Sequence, residues 1–194
     1  MTSTKENILE AAGRLIHLQG YHKTSVDDIL RESGVGKGNL YYYFRSKDEL
    51  AFASLDRTIT LLRDRVLNRV FTSDGDPWNQ LNEFIAFPLQ ESKTTECVGG
   101  CPLGNLAIEM SDVHEGFRSR LRLAFEEIGG RIEAALDRAR SQGTLRPGTN
   151  IRRMTQFILA GLEGALMMGK LHRDPALLAG LVLELQSYLA QHRV

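Results

Sequence analysis

Residues 24–50 read TSVDDILRESGVGKGNLYYYFRSKDEL, and the punctuation of this stretch sets the architecture of the first part of the chain. Ser25 followed by Asp28 is a helix-opening pair, and Gly34 is a stop signal. Between them Val26, Ile29 and Leu30 form the apolar side of a short helix. Gly36 starts a second short helix running through Tyr42 or Tyr43, and Ser46 with Glu49 opens a third, longer one towards Phe71. Two short helices joined by a tight glycine-containing turn describe a helix-turn-helix. Such a unit needs a supporting helix. Upstream, Ser3 with Glu6 opens one, Ile8, Ala12, Leu15 and Ile16 give it an apolar stripe, and Gly20 ends it.

The second short helix has the side chains for a major groove, with its first turn towards the bases. Lys37 is a cation, Gly38 allows close approach of backbone to DNA, and Asn39 has an amide that can pair with base edges. The hydroxyls of Tyr41 and Tyr42 suit phosphates, although spacing alone equally allows Tyr41–Tyr43 to be core. Thr24 and Ser25 stand at the start of the preceding helix and Lys47 at the start of the next, where anions are favoured.

Composition narrows the class. The 194 residues hold 24 Lys+Arg and 24 Asp+Glu, so the net charge is zero. That argues against a non-specific nucleic-acid coat protein while permitting a small, locally basic reading face. The most apolar run, Phe157–Met168, is interrupted by Glu163 and is shorter than the roughly 20 residues of a membrane span. The polar start carries no signal-type apolar run, and the two cysteines, Cys97 and Cys101, form no disulfide framework. A cytoplasmic protein without membrane contact is expected.

Helix signals continue throughout, predicting an all-α chain of about nine helices. A turn at residues 72–77 precedes a fifth helix from Trp78 to Ser92, kinked at Pro88, and a loop from Thr94 to Gly100. A sixth helix spans Pro102 to Met110. Asp112 and Glu115 open a long seventh ending before Gly143. Thr149 or Asn150 opens the eighth, reaching about Lys170, and Asp174-Pro175 opens the ninth, to about His192. The expected division is a DNA-binding domain over residues 1–47 and an effector-binding and dimerisation domain over 48–194. Glu109, Asp112, His114 and Glu115 suggest acid/base chemistry only in isolation. Two of them have capping roles and no nucleophile-base-orienter set accompanies them, so no enzyme and no cofactor are expected. Two thiols with His114 as the nearest histidine also fall short of a zinc site.

The run Thr24-Ser25-Val26-Asp27-Asp28-Ile29 and then Ser33 through Leu50 resembles the N-terminal signature of TetR-family regulators. That resemblance implies a homodimeric all-α transcriptional regulator, usually a repressor. It implies DNA contacts from Thr24, Lys37, Gly38, Asn39, Tyr41, Tyr42 and Lys47, with Leu40 and Phe44 structural. Gly36 departs from the Ser or Thr often found at the start of the recognition helix. The resemblance also places a small-molecule effector among the fifth to eighth helices. Phe84, Phe87, Cys101, Leu106, Met110, Phe117, Phe125, Phe157 and Met167 are the candidate lining, which suits a fairly hydrophobic or aromatic molecule.

A lone helix-turn-helix reads few base pairs, so a two-fold partner and a palindromic operator are expected. The small and apolar residues of the last two helices, Ala160, Gly161, Gly164, Met168, Leu178, Leu181 and Leu185, are the candidate interface; packing within one subunit is the competing reading. The segment Gly99-Gly100-Cys101-Pro102-Leu103-Gly104-Asn105-Leu106 is similar to one in a NemR-like branch of the family, in which a cysteine senses electrophiles or oxidants beside a lysine. Cys101 and Lys170 fall on those positions. A thiol-based sensor on the same scaffold is therefore the alternative to a bound effector, with an inert structural Cys101 also open.

Overall fold

The computed structural model describes residues 3–194, and only the backbone of residues 91, 93 and 94. The helices are α1 (Thr4–Gln19), α2 (Val26–Ser33), α3 (Lys37–Tyr43), α4 (Lys47–Leu62), a π-helical turn (Arg63–Leu67), α5 (Asn68–Val70), α6 (Pro77–Ala86), α7 (Pro88–Thr95), α8 (Pro102–Met110), α9 (Glu115–Ser141), α10 (Ile151–His172) and α11 (Pro175–Ala190). With the π turn and α5 counted as the end of the fourth helix, and α6 and α7 as one helix broken at Phe87, the described residues form the nine helices that the sequence predicts. The break follows from Pro88, which has no N–H to continue the ladder. The segment beyond it stays helical to Thr95, where a loop was expected from Thr94.

Compactness divides the chain differently from the expected 47/48 boundary. One unit comprises the chain up to Leu62 together with Pro102–Arg122; the other comprises Arg63–Cys101 and Leu123–Val194. All of α4 and α8, with the start of α9, thus belong with the helix-turn-helix.

The core of the first unit is one apolar cluster. Ile8 and Ala12 from α1 meet Ile29 from α2, Leu40 from α3, Phe44 just beyond it and Leu50 from α4. Local hydrogen bonds set the ends of these helices. Ser25 and Asp28 form a complete capping box. Ser46 accepts from Glu49 N at 3.1 Å, but Glu49 returns its bond to Arg45 N, at 2.8 Å, one residue outside the expected box. At α9 the expected cap is replaced: Nδ1 of His114 accepts from Gly116 N at 3.1 Å, while Asp112 lies in the preceding turn.

In the second unit Trp78 is buried and donates from Nε1 to Thr144 Oγ1 at 2.9 Å. Leu178, Val182, Leu185 and Leu189, on one face of α11, are buried. A Cβ at Gly161 would come within 2.5 Å of Leu185 Cδ2, so the two helices are in close contact there. This corrects the expected interface: Gly161, Leu178 and Leu185 are engaged inside the subunit, and Met168 and Leu181 are half-buried. The expected Ala160 and Gly164 do lie on the outward face of α10, which also presents Phe157, Met167 and Leu171, at i, i+3, i+7, i+10 and i+14 together, with Leu183 exposed on α11. Among the described residues no helix is long and apolar enough to cross a membrane.

Ile29 is fully buried at the centre of the first cluster. Ile29→Ala is expected to cost about 2–5 kcal/mol of stability, measured by chemical denaturation. A loss near zero would show that α2 does not depend on this cluster.

Candidate nucleic-acid interface

The candidate reading helix, α3, is seven residues long and of these Leu40 alone is buried. Everything else follows from that single inward side chain. Lys37, Gly38 and Asn39 are exposed on the first turn, and Tyr41 and Tyr42 are 47% and 81% exposed. Tyr41–Tyr43 are therefore not core. A Cβ at Gly38 would meet nothing within 4 Å, so the surface there is open. Gly36, extended at φ −69° and ψ 148°, precedes the helix with no side-chain cap.

The flanking candidates divide. Ser25 is exposed, with its hydroxyl donating to Asp28 Oδ2 at 2.6 Å and accepting from Asp28 N at 3.1 Å. Thr24 is a correction. It is 0% exposed, its hydroxyl donates to Gly20 O at 2.7 Å, and it accepts from Gln19 Nε2 at 3.2 Å. It braces the turn before α2 and offers no surface for a contact. Lys47 is half-buried with its Nζ 4.1 Å above the ring of Tyr21, and desolvation lowers its pKa. The Tyr21 hydroxyl bonds to Asp48, and burial together with that carboxylate pushes its ionisation upward.

Residues that sequence reading did not assign to this site hold it in place. Tyr21 packs on Phe117 with ring centroids 5.2 Å apart, and Phe117 packs on Phe52 at 4.7 Å. Arg120 lies 4.2 Å over the Phe52 ring. Glu109 of α8 accepts from the backbone N–H groups of Tyr21 at 2.8 Å and His22 at 2.9 Å. These partners lie far apart in the chain, so local spacing carries no trace of them.

The nine effector-lining candidates fall in both units. Leu106, Met110 and Phe117 are buried in the first unit, as supports of the helix-turn-helix. Phe84, Phe87, Cys101, Phe125, Phe157 and Met167 belong to the second. There Phe84 is buried against Phe71 at 5.5 Å, whereas Phe157 and Met167 are 51% and 52% exposed on the outer face of α10. Phe157 stacks on Tyr188 at 4.5 Å.

Both cysteines are free thiols. Cys101 immediately precedes α8, is half-buried, and is hydrogen-bonded to the side chain of Glu163. Burial raises the Glu163 pKa, and the bond to Cys101 only partly offsets that. The Lys170 side chain lies against Gly100, with Cδ 3.1 Å from where a Cβ would stand. Cys97 is buried, and desolvation raises its pKa. Among the described residues no three His, Cys, Asp or Glu side chains gather as a metal site.

Known proteins resemble the chain along its whole length. Residues 8–53 match the family model for bacterial regulatory proteins of the tetR family, and residues 77–182 match that for a tetracyclin repressor-like C-terminal domain. An HTH-type transcriptional regulator in the lacX 3′ region of Lactococcus lactis subsp. lactis is 33% identical over 174 residues, 90% of this chain and 87% of that one. The HTH-type transcriptional repressor NemR of Escherichia coli K12 is 23% identical over 171 residues, 88% of this chain and 86% of the other. A TetR transcriptional regulator from Chloroflexus aurantiacus superposes with a TM-score of 0.89 at 27% identity, covering 98% of this chain and 96% of that one.

The Glu163 carboxyl yields a pH test. Its folded pKa is raised, so the stability it carries is complete below the ordinary carboxylate range and is lost as pH rises through the raised value. Glu163→Gln removes the charge. Its gain in melting temperature over the parent is expected to be larger at neutral pH than at about pH 4. An equal gain at both would show that no ionisation cost exists at this position.

Proposed function

The chain belongs to the TetR family of bacterial transcriptional regulators, and from that premise we propose that it is a homodimeric repressor, released from a palindromic operator by a small-molecule effector. The observation that carries this reading is the open face of α3, where Lys37, Gly38, Asn39, Tyr41 and Tyr42 project around one buried anchor. Lys37 and Asn39 face bases or the phosphates beside them. Tyr41, Tyr42, Ser25 and Lys47 hold the backbone in register. Thr24 contributes by shaping the turn.

The outer apolar stripe of α10, with Leu183 of α11, supports a two-fold interface. Large exposed apolar patches mark interaction sites, and a second copy doubles the base contacts. The mechanism is a shift between two dimer shapes, with movement of α4 changing the separation of the two α3 helices. The effector acts only because it binds the released shape more tightly. A small, mostly apolar molecule suits the aromatic candidates Phe84, Phe87 and Phe125.

The place of Cys101 directly before α8, with the Lys170 side chain against Gly100, favours a second reading, a sensor of electrophiles on the same scaffold. The start of α8 favours a thiolate, whereas a neighbouring carboxylate opposes one. In such a reaction the thiol gives its proton to solvent. Its sulfur bonds to one carbon of an activated alkene, and the adjoining carbon takes up a proton.

Selection from random DNA tests the first reading and is expected to return a palindrome with half-sites about one helical turn apart. Lys37→Ala should weaken binding to all sequences and reduce the salt slope by about one. Asn39→Ala should relax preference at one position by about 1–3 kcal/mol. Paired Met167→Glu and Leu171→Glu changes should give monomers that bind weakly. Failure to enrich any sequence, or Lys37→Ala binding with the parent's salt slope, would overturn it. For the second reading, an activated alkene should release the operator from the parent and not from Cys101→Ser; equal release from both would refute it.

A further inference from the structure

Glu109 stands on the last turn of α8, with its carboxylate set into the turn between α1 and α2. Oε2 accepts from Tyr21 N at 2.8 Å, Oε1 accepts from His22 N at 2.9 Å, and Nδ1 of His22 lies 2.9 Å from Oε1. Burial acts to raise the pKa of this carboxyl. The backbone and ring groups of His22 and Tyr21 outweigh burial and hold it below the ordinary carboxylate range. The turn is shaped to admit it. Gly20 has φ +89°, a backbone that disfavours other residues, and a Cβ there would lie 2.8 Å from Oε2 and 3.0 Å from Oε1.

The same helix grips α1 again one turn earlier. Asn105 Nδ2 donates to His17 O at 3.4 Å, and Leu106 and Pro102 border a small void of about 20 Å³ with Ile16, Ala51 and Leu55. From the clamped turn the chain passes into α2 through Thr24, whose N–H and hydroxyl bond back to Tyr21 O and Gly20 O. α2 in turn shares its buried Ile29 with Leu40 of α3. At its other end α8 begins directly after Cys101, about 12 Å away along a helix rising about 1.5 Å per residue.

We propose that Glu109 is the positioning residue through which α8 sets the helix-turn-helix, so that operator binding and the state of the chain at Cys101 are linked. The inference rests on the reading of α3 as the DNA-contacting helix. The chemistry is specific to a carboxylate: two acceptor oxygens and no donor match two backbone N–H groups and an imidazole. A carboxamide would turn an NH₂ towards one of those donors. Linkage of this kind is reciprocal, so DNA must alter events at Cys101 as much as events there alter DNA binding.

The experiment uses the full chain carrying Cys97→Ser, with iodoacetamide as the probe of Cys101 and mass spectrometry as the readout. Saturating amounts of the selected operator duplex are expected to change the alkylation rate of Cys101 by about fivefold. In Glu109→Gln and Glu109→Ala the operator is expected to change that rate by less than about twofold, while thermal melts show a folded chain. Hydrogen exchange without DNA supplies a separate arm, in which the Tyr21 and His22 amides are expected to exchange faster in both variants. Glu109→Gln keeps the experiment readable if Glu109→Ala does not fold. An operator effect that is absent in the parent, or that survives in the variants, overturns the proposal, as do unchanged amide exchange rates. A parent chain that binds no DNA sequence refutes the DNA-contacting reading of α3, and the amide arm still reports on the clamp by itself.

Discussion

Leu40 carries more of this structure than its size suggests. It is the one buried residue of a seven-residue helix, and its seat among Ile8, Ile29 and Leu50 fixes which way Lys37, Asn39 and Tyr42 point. A helix this short is marginal on its propensity alone. Its direction and its persistence are both supplied by packing, and the packing is supplied by α1, α2 and α4. The surface available for reading DNA is thus the far side of a hydrophobic contact.

Electrostatics complements this arrangement without any excess of positive charge. The chain is neutral overall, yet several acidic residues of the first unit are turned to structural use. Asp28 caps α2 and pairs with Arg31, Glu49 takes the N–H of Arg45, and Glu6 and Glu32 pair with Arg57 and Arg14. Asp48 takes the hydroxyl of Tyr21 and Glu109 takes the turn before α2. Lys37 is left exposed on the open face of α3. Local placement, and not composition, makes such a surface attractive to phosphates.

What the sequence discloses follows the range of the interaction. The Ser25–Asp28 box, the Asn150 and Asp174 caps and the proline at Pro175 act within a few residues, and all are legible from spacing. The exposed face of α3 is not legible in this way, because spacing leaves Tyr41–Tyr43 open between surface and core until the burial of Leu40 decides it. Thr24 is ambiguous in sequence because a threonine at a helix start has two uses, and only the carbonyl of Gly20 decides between them. His114 gives no capping signal in sequence because imidazole is an uncommon cap. In α10 and α11 periodicity reveals apolar faces but not which of them the chain covers for itself, so it does not distinguish Gly161, Leu178 and Leu185, which pack inside, from the outward stripe. Glu109 has partners about ninety residues away, beyond the reach of any pattern rule.

The unit that holds the helix-turn-helix is assembled from two separate lengths of chain, the part up to Leu62 and the part from Pro102 to Arg122. Modular exchange is therefore constrained. A chimera that grafts only the N-terminal length onto another regulator's body leaves behind Glu109, Phe117 and Arg120. The amides of Tyr21 and His22 would lose their acceptor, and the ring of Phe52 its cover. Transplantable specificity in this scaffold needs both lengths to travel together, or a recipient that already carries an acidic residue at the end of the corresponding helix.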